Sequence, residues 1–304
     1  MPSSRPVQFR GAFTAVTTPF TADGSGGVID FGLLKEQIEF QAAGGVAGVV
    51  LAGTTGESPT LEPEEWRDLI ERGVRLARGA GILAVAGTGS NSTSHACALQ
   101  RFAAAAGADA ALSVNPYYNK PGQEGLYAHF MEQADAAALP IILYNIPGRT
   151  GVALAPDTVA QLAKHPNIRA IKEATGSTDS ASEILLKAPG LALLSGDDSM
   201  TLPFAAVGGV GVVSVVSNLF PARISALCDA FLSNRWADAL KIHRELLPLC
   251  KAMFAETNPI PVKAAMKLLG RDTGTLRLPM TPASPATIKT LEGLLAGFRH
   301  PVHA

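Results

Sequence analysis

The sequence predicts a (β/α)8 TIM barrel with a C-terminal helical appendage, and three observations predict it. Apolar runs of strand length alternate eight times with segments of helical spacing across residues 1–232, an order that argues parallel strands joined by crossover helices. The runs are nearly continuous in hydrophobicity, as at 46–51, which suits strands covered on both faces. The length of 304 residues holds one barrel of roughly 250 residues and a tail. An open doubly wound sheet is the alternative, because periodicity does not prove closure. No G-x-G-x-x-G follows the first strand, which weakens a dinucleotide role.

Taken in order, residues 12–18 are a β-rich run ending at Pro19, and 30–43 show helical spacing behind a cap at Asp30. Strands are then expected at 46–51, 82–86, 108–114, 141–144, 168–172, 191–194 and 210–215. The helices between and after them are expected at 63–77, 92–106, 124–138, 156–164, 178–187, 199–207 and 221–232. Helical segments at 236–255, 261–269 and 285–295 form the tail. No Gly/Ser/Pro-rich linker precedes it, so 233–304 is expected to pack on the barrel formed by 1–232 as an extension, without being a separate domain.

Composition narrows the partners. Lys plus Arg is 25 against 26 acidic residues, a net charge of -1, so no broad field favours nucleic acid or an anionic membrane, and a small molecule is the expected partner. Residues 1–10 lack an apolar signal core and no window is long enough to span a membrane, which reads as cytoplasmic. Cys97, Cys228 and Cys250 are widely spaced among apolar neighbours and read as core residues. His95, His129, His165 and His243 show no ligand spacing, so no metal is expected.

Barrel chemistry sits at the C-terminal ends of the strands, and there the residues turn polar. The second strand is followed by Gly53-Thr54-Thr55-Gly56-Glu57-Ser58, the fourth by Asn115-Pro116-Tyr117-Tyr118-Asn119, the fifth by Asn145-Ile146-Pro147-Gly148-Arg149-Thr150 after Tyr144, and the seventh by Ser195-Gly196-Asp197-Asp198. The sixth ends in Lys172-Glu173. A lysine at the end of a buried strand is carried into a poorly hydrated place, which disfavours the ammonium and leaves a nucleophilic amine suited to Schiff-base formation. A lysine that ends an edge strand and snorkels to water is the plainer reading.

The same weighing applies to the rest. Thr54 and Thr55 between glycines suit an anion nest for a carboxylate or phosphate, and equally an ordinary turn. Tyr144 and Tyr118 carry phenols that shuttle protons, though tyrosine at a strand end often only packs. Arg149 can fork onto a carboxylate or lie solvated. All of them falling on one predicted rim with Lys172 describes a 2-oxo acid that condenses with the lysine, loses an α-proton to become an enamine and attacks a second carbonyl. That is class I aldolase chemistry, in which the iminium is the electron sink and no other cofactor is needed.

The stretches Gly53-Thr54-Thr55-Gly56-Glu57, Tyr144-Asn145-Ile146-Pro147 and Ile171-Lys172-Glu173-Ala174 resemble the pyruvate-dependent lyase superfamily that contains dihydrodipicolinate synthase and N-acetylneuraminate lyase. Asn115-Pro116-Tyr117-Tyr118-Asn119, Gly148-Arg149-Thr150-Gly151, Leu194-Ser195-Gly196-Asp197-Asp198, Asn258-Pro259-Ile260-Pro261-Val262-Lys263 and Leu276-Arg277-Leu278-Pro279-Met280-Thr281 are similar to its dihydrodipicolinate synthase branch. The resemblance spans residues 11–281. It implies a Schiff base between Lys172 and pyruvate, with protons passed by Tyr144 through a relay with Thr54 and Tyr118. Thr55 and the neighbouring backbone would hold the pyruvate carboxylate, Arg149 the carboxylate of L-aspartate 4-semialdehyde, and backbone oxygens near Gly196 and Val213 would line the pocket.

The product implied is 4-hydroxy-tetrahydrodipicolinate, on the diaminopimelate route to lysine. Tyr118 would enter a neighbouring subunit's site, implying a homotetramer built as a dimer of dimers. Positions matching a lysine-inhibition site in this family are Ser58, Pro59, Pro63, Trp66, Asn91, His95 and Tyr117, where lysine-sensitive members carry glutamate in place of His95. Two other readings remain: another 2-oxo acid lyase of the superfamily, acting on a sugar acid or hydroxy-oxo acid, and a non-catalytic 2-oxo acid sensor.

Overall fold

The computed structural model describes residues 7–22 and 26–299. Eight parallel strands close in sequence order: β1 (Gly11–Ala15), β2 (Gly48–Leu51), β3 (Leu83–Gly87), β4 (Ala110–Val114), β5 (Ile141–Asn145), β6 (Ile168–Glu173), β7 (Ala192–Ser195) and β8 (Gly211–Ser214), with β8 hydrogen-bonded back to β1. Closure rules out the open sheet, and with it the edge strand on which Lys172 would snorkel to water.

Around the barrel run α1 (Phe31–Ala43), α2 (Pro63–Gly79), α3 (Thr93–Ala105), α4 (Gln123–Ala136), α5 (Pro147–Thr150), α6 (Pro156–Leu162), α7 (Thr178–Lys187), α8 (Thr201–Ala206) and α9 (Pro221–Leu232), followed by α10 (Trp236–Ala252), α11 (Ile260–Leu268) and α12 (Pro285–Arg299). Asp30 caps α1 as expected, its carboxylate accepting from the Leu33 amide at 2.9 Å. The strand expected over 12–18 stops at Ala15, because Thr17 and Thr18 turn to meet the tail. The helix expected over 199–207 is a 3₁₀ turn followed by the short α8. The one-turn α5 has no counterpart in the sequence reading, being too short to show periodicity.

Alternation along each strand sorts side chains into two cores. Val50, Val85, Ala110, Leu112, Ile142, Tyr144, Ala170, Leu194 and Val213 fill the barrel interior. Val49, Leu51, Ala84, Ala86, Ala111, Leu143, Ile171 and Leu193 face the helices. One irregularity interrupts the pattern: Ile141 lies opposite Ile168 but Ile142 lies opposite Ala170, so Arg169 is an extra residue in β6, and it is exposed. Beyond the bulge Tyr144 is the register partner of Lys172.

The tail shares a core with the barrel. Leu246, Met253, Val262, Met266, Leu291 and Leu295 pack in one cluster with Ala12, Val212, Leu219 and Ile224. Residues 1–6 and 300–304, at the ends of the two divisions expected from the sequence, lie outside the described residues. Among the described residues no helix is long and apolar enough to cross a membrane.

Candidate active site

Lys172, one residue from the end of β6, is 6% exposed. It points into the barrel beside Tyr144, its Nζ lying 3.9 Å from the centroid of the Tyr144 ring. Nζ makes no hydrogen bond or ion pair with any described residue. A buried amine without a partner is costly to keep, so its retention is itself a functional signal. The following residue turns the other way. Glu173 is fully buried on the helix-facing side, where its carboxylate accepts from the Thr175 amide at 2.8 Å and from Asn145 Nδ2 at 2.9 Å. Asn115 in turn donates to Asn145 Oδ1 at 3.2 Å. Three polar residues read from the sequence as rim groups thus brace strand ends and leave the interior to Lys172 and Tyr144.

Gly196 is demanded by this packing. A Cβ there would lie 2.7 Å from Ala174 Cβ and 3.2 Å from Lys172 Cε, while the Gly196 amide donates to Glu173 O at 2.7 Å. Gly196→Ala is therefore expected to displace the lysine, lowering turnover by on the order of 10²-fold; steady-state kinetics checks it. Val213, in β8, is buried in the same interior cluster as Tyr144.

The loop after β2 shapes the opposite wall. Its Gly56, Glu57 and Ser58 amides bond back to Gly53 and Thr54 carbonyls, while the Thr54 and Thr55 amides have no acceptor among the described residues. Two free donors in a tight turn form the nest. The nest precedes only a 3₁₀ turn, Ser58–Thr60, and the first helix after it, α2, closes its own end with a Glu62/Glu65 capping box, so no helix dipole serves the nest. Thr55 is buried, and its Oγ1 accepts from Asn258 Nδ2 at 2.9 Å.

The sequence reading gave no role to Glu57, Asn258 or Lys263, and together they hold this loop. Glu57 adopts φ 54°, strained for a residue with a side chain. Its Oε1 lies 2.7 Å from Lys263 Nζ and its Oε2 accepts from the Arg277 amide at 3.0 Å. Lys263, fully buried, also donates to Thr18 O at 2.9 Å and sits over the Phe20 ring. Arg277 grips Glu65 through two bonds of 2.6 Å, and this ion pair holds the Glu65 carboxyl below its usual range. The far wall is fixed by Asp198, whose carboxylate accepts from the Val215 and Val216 amides at 2.9 and 3.0 Å and from Ser214 Oγ; burial pushes its pKa up against those bonds.

Thr54, Tyr144 and Arg149 line one cavity of about 790 Å³. Arg149 is exposed on α5, not on a loop, and donates to Asn258 O at 3.4 Å. Ser58, Pro59, Pro63, Trp66, His95 and Tyr117 line the same cavity; Asn91 does not, its carbonyl accepting from Asn119 Nδ2 at 2.8 Å. Arg67, Arg149 and the imidazole of His95 line the cavity beside the phenols of Tyr117 and Tyr144, and its lining holds no carboxylate. Tyr118 stays outside the cavity: it is 89% exposed, at φ 74°. Of the residues expected at the site, Thr54, Tyr144 and Arg149 line the cavity; Lys172, Gly196 and Val213 pack about Tyr144 in the barrel interior, Thr55 is bonded to Asn258, and Tyr118 stays apart. Cys97, Cys228 and Cys250 are buried and unpaired. No cluster of three or more His, Cys, Asp or Glu suited to a metal occurs among the described residues.

The chain is similar to known proteins over nearly its whole length. It is 48% identical over 292 residues to the 4-hydroxy-tetrahydrodipicolinate synthase of Geotalea daltonii, covering 96% of this chain and 99% of that one. Its fold superposes on the crystal structure of dihydrodipicolinate synthase from Aquifex aeolicus with a TM-score of 0.93 at 43% identity, covering 97% of this chain and 100% of that one. It also superposes on that of Cyanidioschyzon merolae with lysine bound, with a TM-score of 0.91 at 39% identity, covering 95% of this chain and 97% of that one. The sequence profile of the dihydrodipicolinate synthetase family matches residues 8–296, and the chain belongs to that family.

Proposed function

We propose that this chain is a Schiff-base-forming lyase that condenses pyruvate with L-aspartate 4-semialdehyde to give 4-hydroxy-tetrahydrodipicolinate, on the route to diaminopimelate and lysine. The observation that carries the reading is Lys172: buried, without a counter-charge, and in register with Tyr144. Its amine attacks C2 of pyruvate and water leaves, giving an iminium. Tyr144, in a relay with Thr54 and a neighbouring subunit's Tyr118, takes a proton from the methyl carbon. The enamine attacks the aldehyde carbon, whose oxygen is protonated, and the semialdehyde's own amine then displaces Lys172 as the ring closes.

The free amides and hydroxyl at Thr54 and Thr55 hold the pyruvate carboxylate, Arg149 holds that of the aldehyde, and carbonyl oxygens near Gly196 and Val213 line the floor. The iminium supplies the electron sink, so the chemistry asks for no further cofactor. The 89% exposure of Tyr118, away from its own cavity, supports an assembly in which it completes a partner's site, at least a dimer and by resemblance a tetramer of two dimers. Residues 1–232 serve as the catalytic barrel and 233–304 as an extension that braces its rim. Buried, unpaired cysteines support a reducing, cytoplasmic setting.

The test is pyruvate consumption with L-aspartate 4-semialdehyde beside N-acetylmannosamine and glyceraldehyde. Turnover with the semialdehyde alone supports the reading. Turnover only with a sugar aldehyde keeps the Schiff base but overturns the role of Arg149 and points to a sugar-acid lyase. Absence of turnover with all three would favour a sensor.

Lysine is expected to inhibit weakly or not at all, because the cavity offers Arg67, His95 and Arg149 to an ammonium and no carboxylate. Loss of one charged hydrogen bond weakens binding by about 1.5 to 3 kcal/mol. Clear inhibition by sub-millimolar lysine in the same assay would overturn this expectation.

A further inference from the structure

Asn258 precedes α11 and is 203 residues from Thr55 in sequence, yet the two meet in a buried contact, Asn258 Nδ2 donating to Thr55 Oγ1 at 2.9 Å. A hydroxyl has one proton and two lone pairs. The Asn258 amide fills a lone pair, and the Thr55 proton has no acceptor among the described residues. With the free Thr54 and Thr55 amides, two consecutive residues therefore present three donors without acceptors among the described residues, the first of the two residues lining the cavity. Asn258 Oδ1 is buried with no partner among the described residues, so the donor end alone of this amide is used. The main-chain carbonyl of the same residue accepts from Arg149 at 3.4 Å, so its side chain addresses one anion-binding element and its backbone the other.

We propose that Asn258 is a positioning residue for the 2-oxo acid carboxylate, committing the Thr55 hydroxyl to donate into the nest; this rests on the reading of the nest given above. The side chain acts on pyruvate through Thr55. The aldehyde's carboxylate is untouched by side-chain changes, because Arg149 is held through the backbone.

Asn258→Asp, Asn258→Ala, Thr55→Val and the double variant Asn258→Ala/Thr55→Val test this, with kcat, both KM values and Tm measured for each. An introduced carboxylate takes the Thr55 proton and repels an anion. Asn258→Asp is expected to raise the pyruvate KM by about 10- to 100-fold, the loss of a charge-assisted hydrogen bond, and more than Asn258→Ala does. The aldehyde KM and kcat should hold within about threefold, as for loss of uniform binding. Its defect should shrink as the assay pH falls, since a protonated carboxyl donates again. If Asn258→Asp does not fold, the double variant decides: it should match Thr55→Val alone, because Asn258 acts through that hydroxyl.

A pyruvate KM unchanged by Thr55→Val would overturn the nest reading itself. If Thr55→Val raises it and neither single variant at 258 does, the nest survives and the role of Asn258 falls. Additive effects in the double variant, or an aldehyde KM that rises in step, would likewise reduce Asn258 to a structural residue.

Discussion

Lys172→Ala is expected to lower turnover by about 10⁴-fold or more, because on the proposed Schiff-base chemistry it removes the covalent nucleophile, and with it the pathway and not merely a contact. Borohydride reduction in the presence of pyruvate, followed by mass spectrometry, should label the parent chain and not the variant. Lys172→Arg should be as inactive, since a guanidinium does not lose its proton and cannot add to a carbonyl. Stability should move the opposite way. Lys172 has no counter-ion and is 6% exposed, so truncating it removes an uncompensated buried group, and Tm should hold or rise. Activity lost together with a large fall in Tm would show that the lysine serves the fold.

Lys263→Ala is expected to do the reverse, destabilising the protein by about 3–5 kcal/mol, a fall in Tm on the order of 10 °C. Its ammonium is fully buried, and its removal strands the Glu57 carboxylate and the Thr18 carbonyl together. Thermal unfolding measures it. The partner change Glu57→Gln in the same chain should recover part of the loss, because the orphaned charge is then gone. Equal Tm values for Lys263→Ala and the parent would show that the pair contributes nothing. Since Glu57 closes the nest loop at φ 54°, pyruvate binding should weaken as well, through displacement of Thr54 and Thr55.

These two lysines show where sequence reading reached and where it stopped. Lys172 was legible because it ends an apolar run, a local contradiction visible in five residues. The barrel was legible for a similar reason, since a strand buried on both faces announces itself as an unbroken hydrophobic run. Lys263 sits in an amphipathic helix, where a lysine every few residues is ordinary. Its burial follows from contacts 206 and 245 residues away, to Glu57 and Thr18, which no local pattern carries. Asn258 was hidden in the same way. The division of the polar rim was hidden too: Asn115, Asn145 and Glu173 have the composition of site residues, and only the strand's facing direction assigns them to bracing. Tyr118 could be placed at the rim but not in a cavity, since nothing in its local sequence announces a side chain 89% exposed and outside the cavity of its own chain.

The extra residue in β6 settles that facing direction. Ile168 packs towards the helices and Ala170 into the barrel, although residues two apart on a regular strand point the same way. Arg169 thus acts as a phase shift of one step: even positions look outward before it and inward after it. Lys172 owes its aim to that step. In a strand of the same composition with position 169 deleted, the amine would point into the helix layer and Glu173 into the barrel, putting a carboxyl where the amine now stands. What residue stands at 169 matters little, since its side chain is exposed; that one stands there decides whether the barrel holds an enzyme.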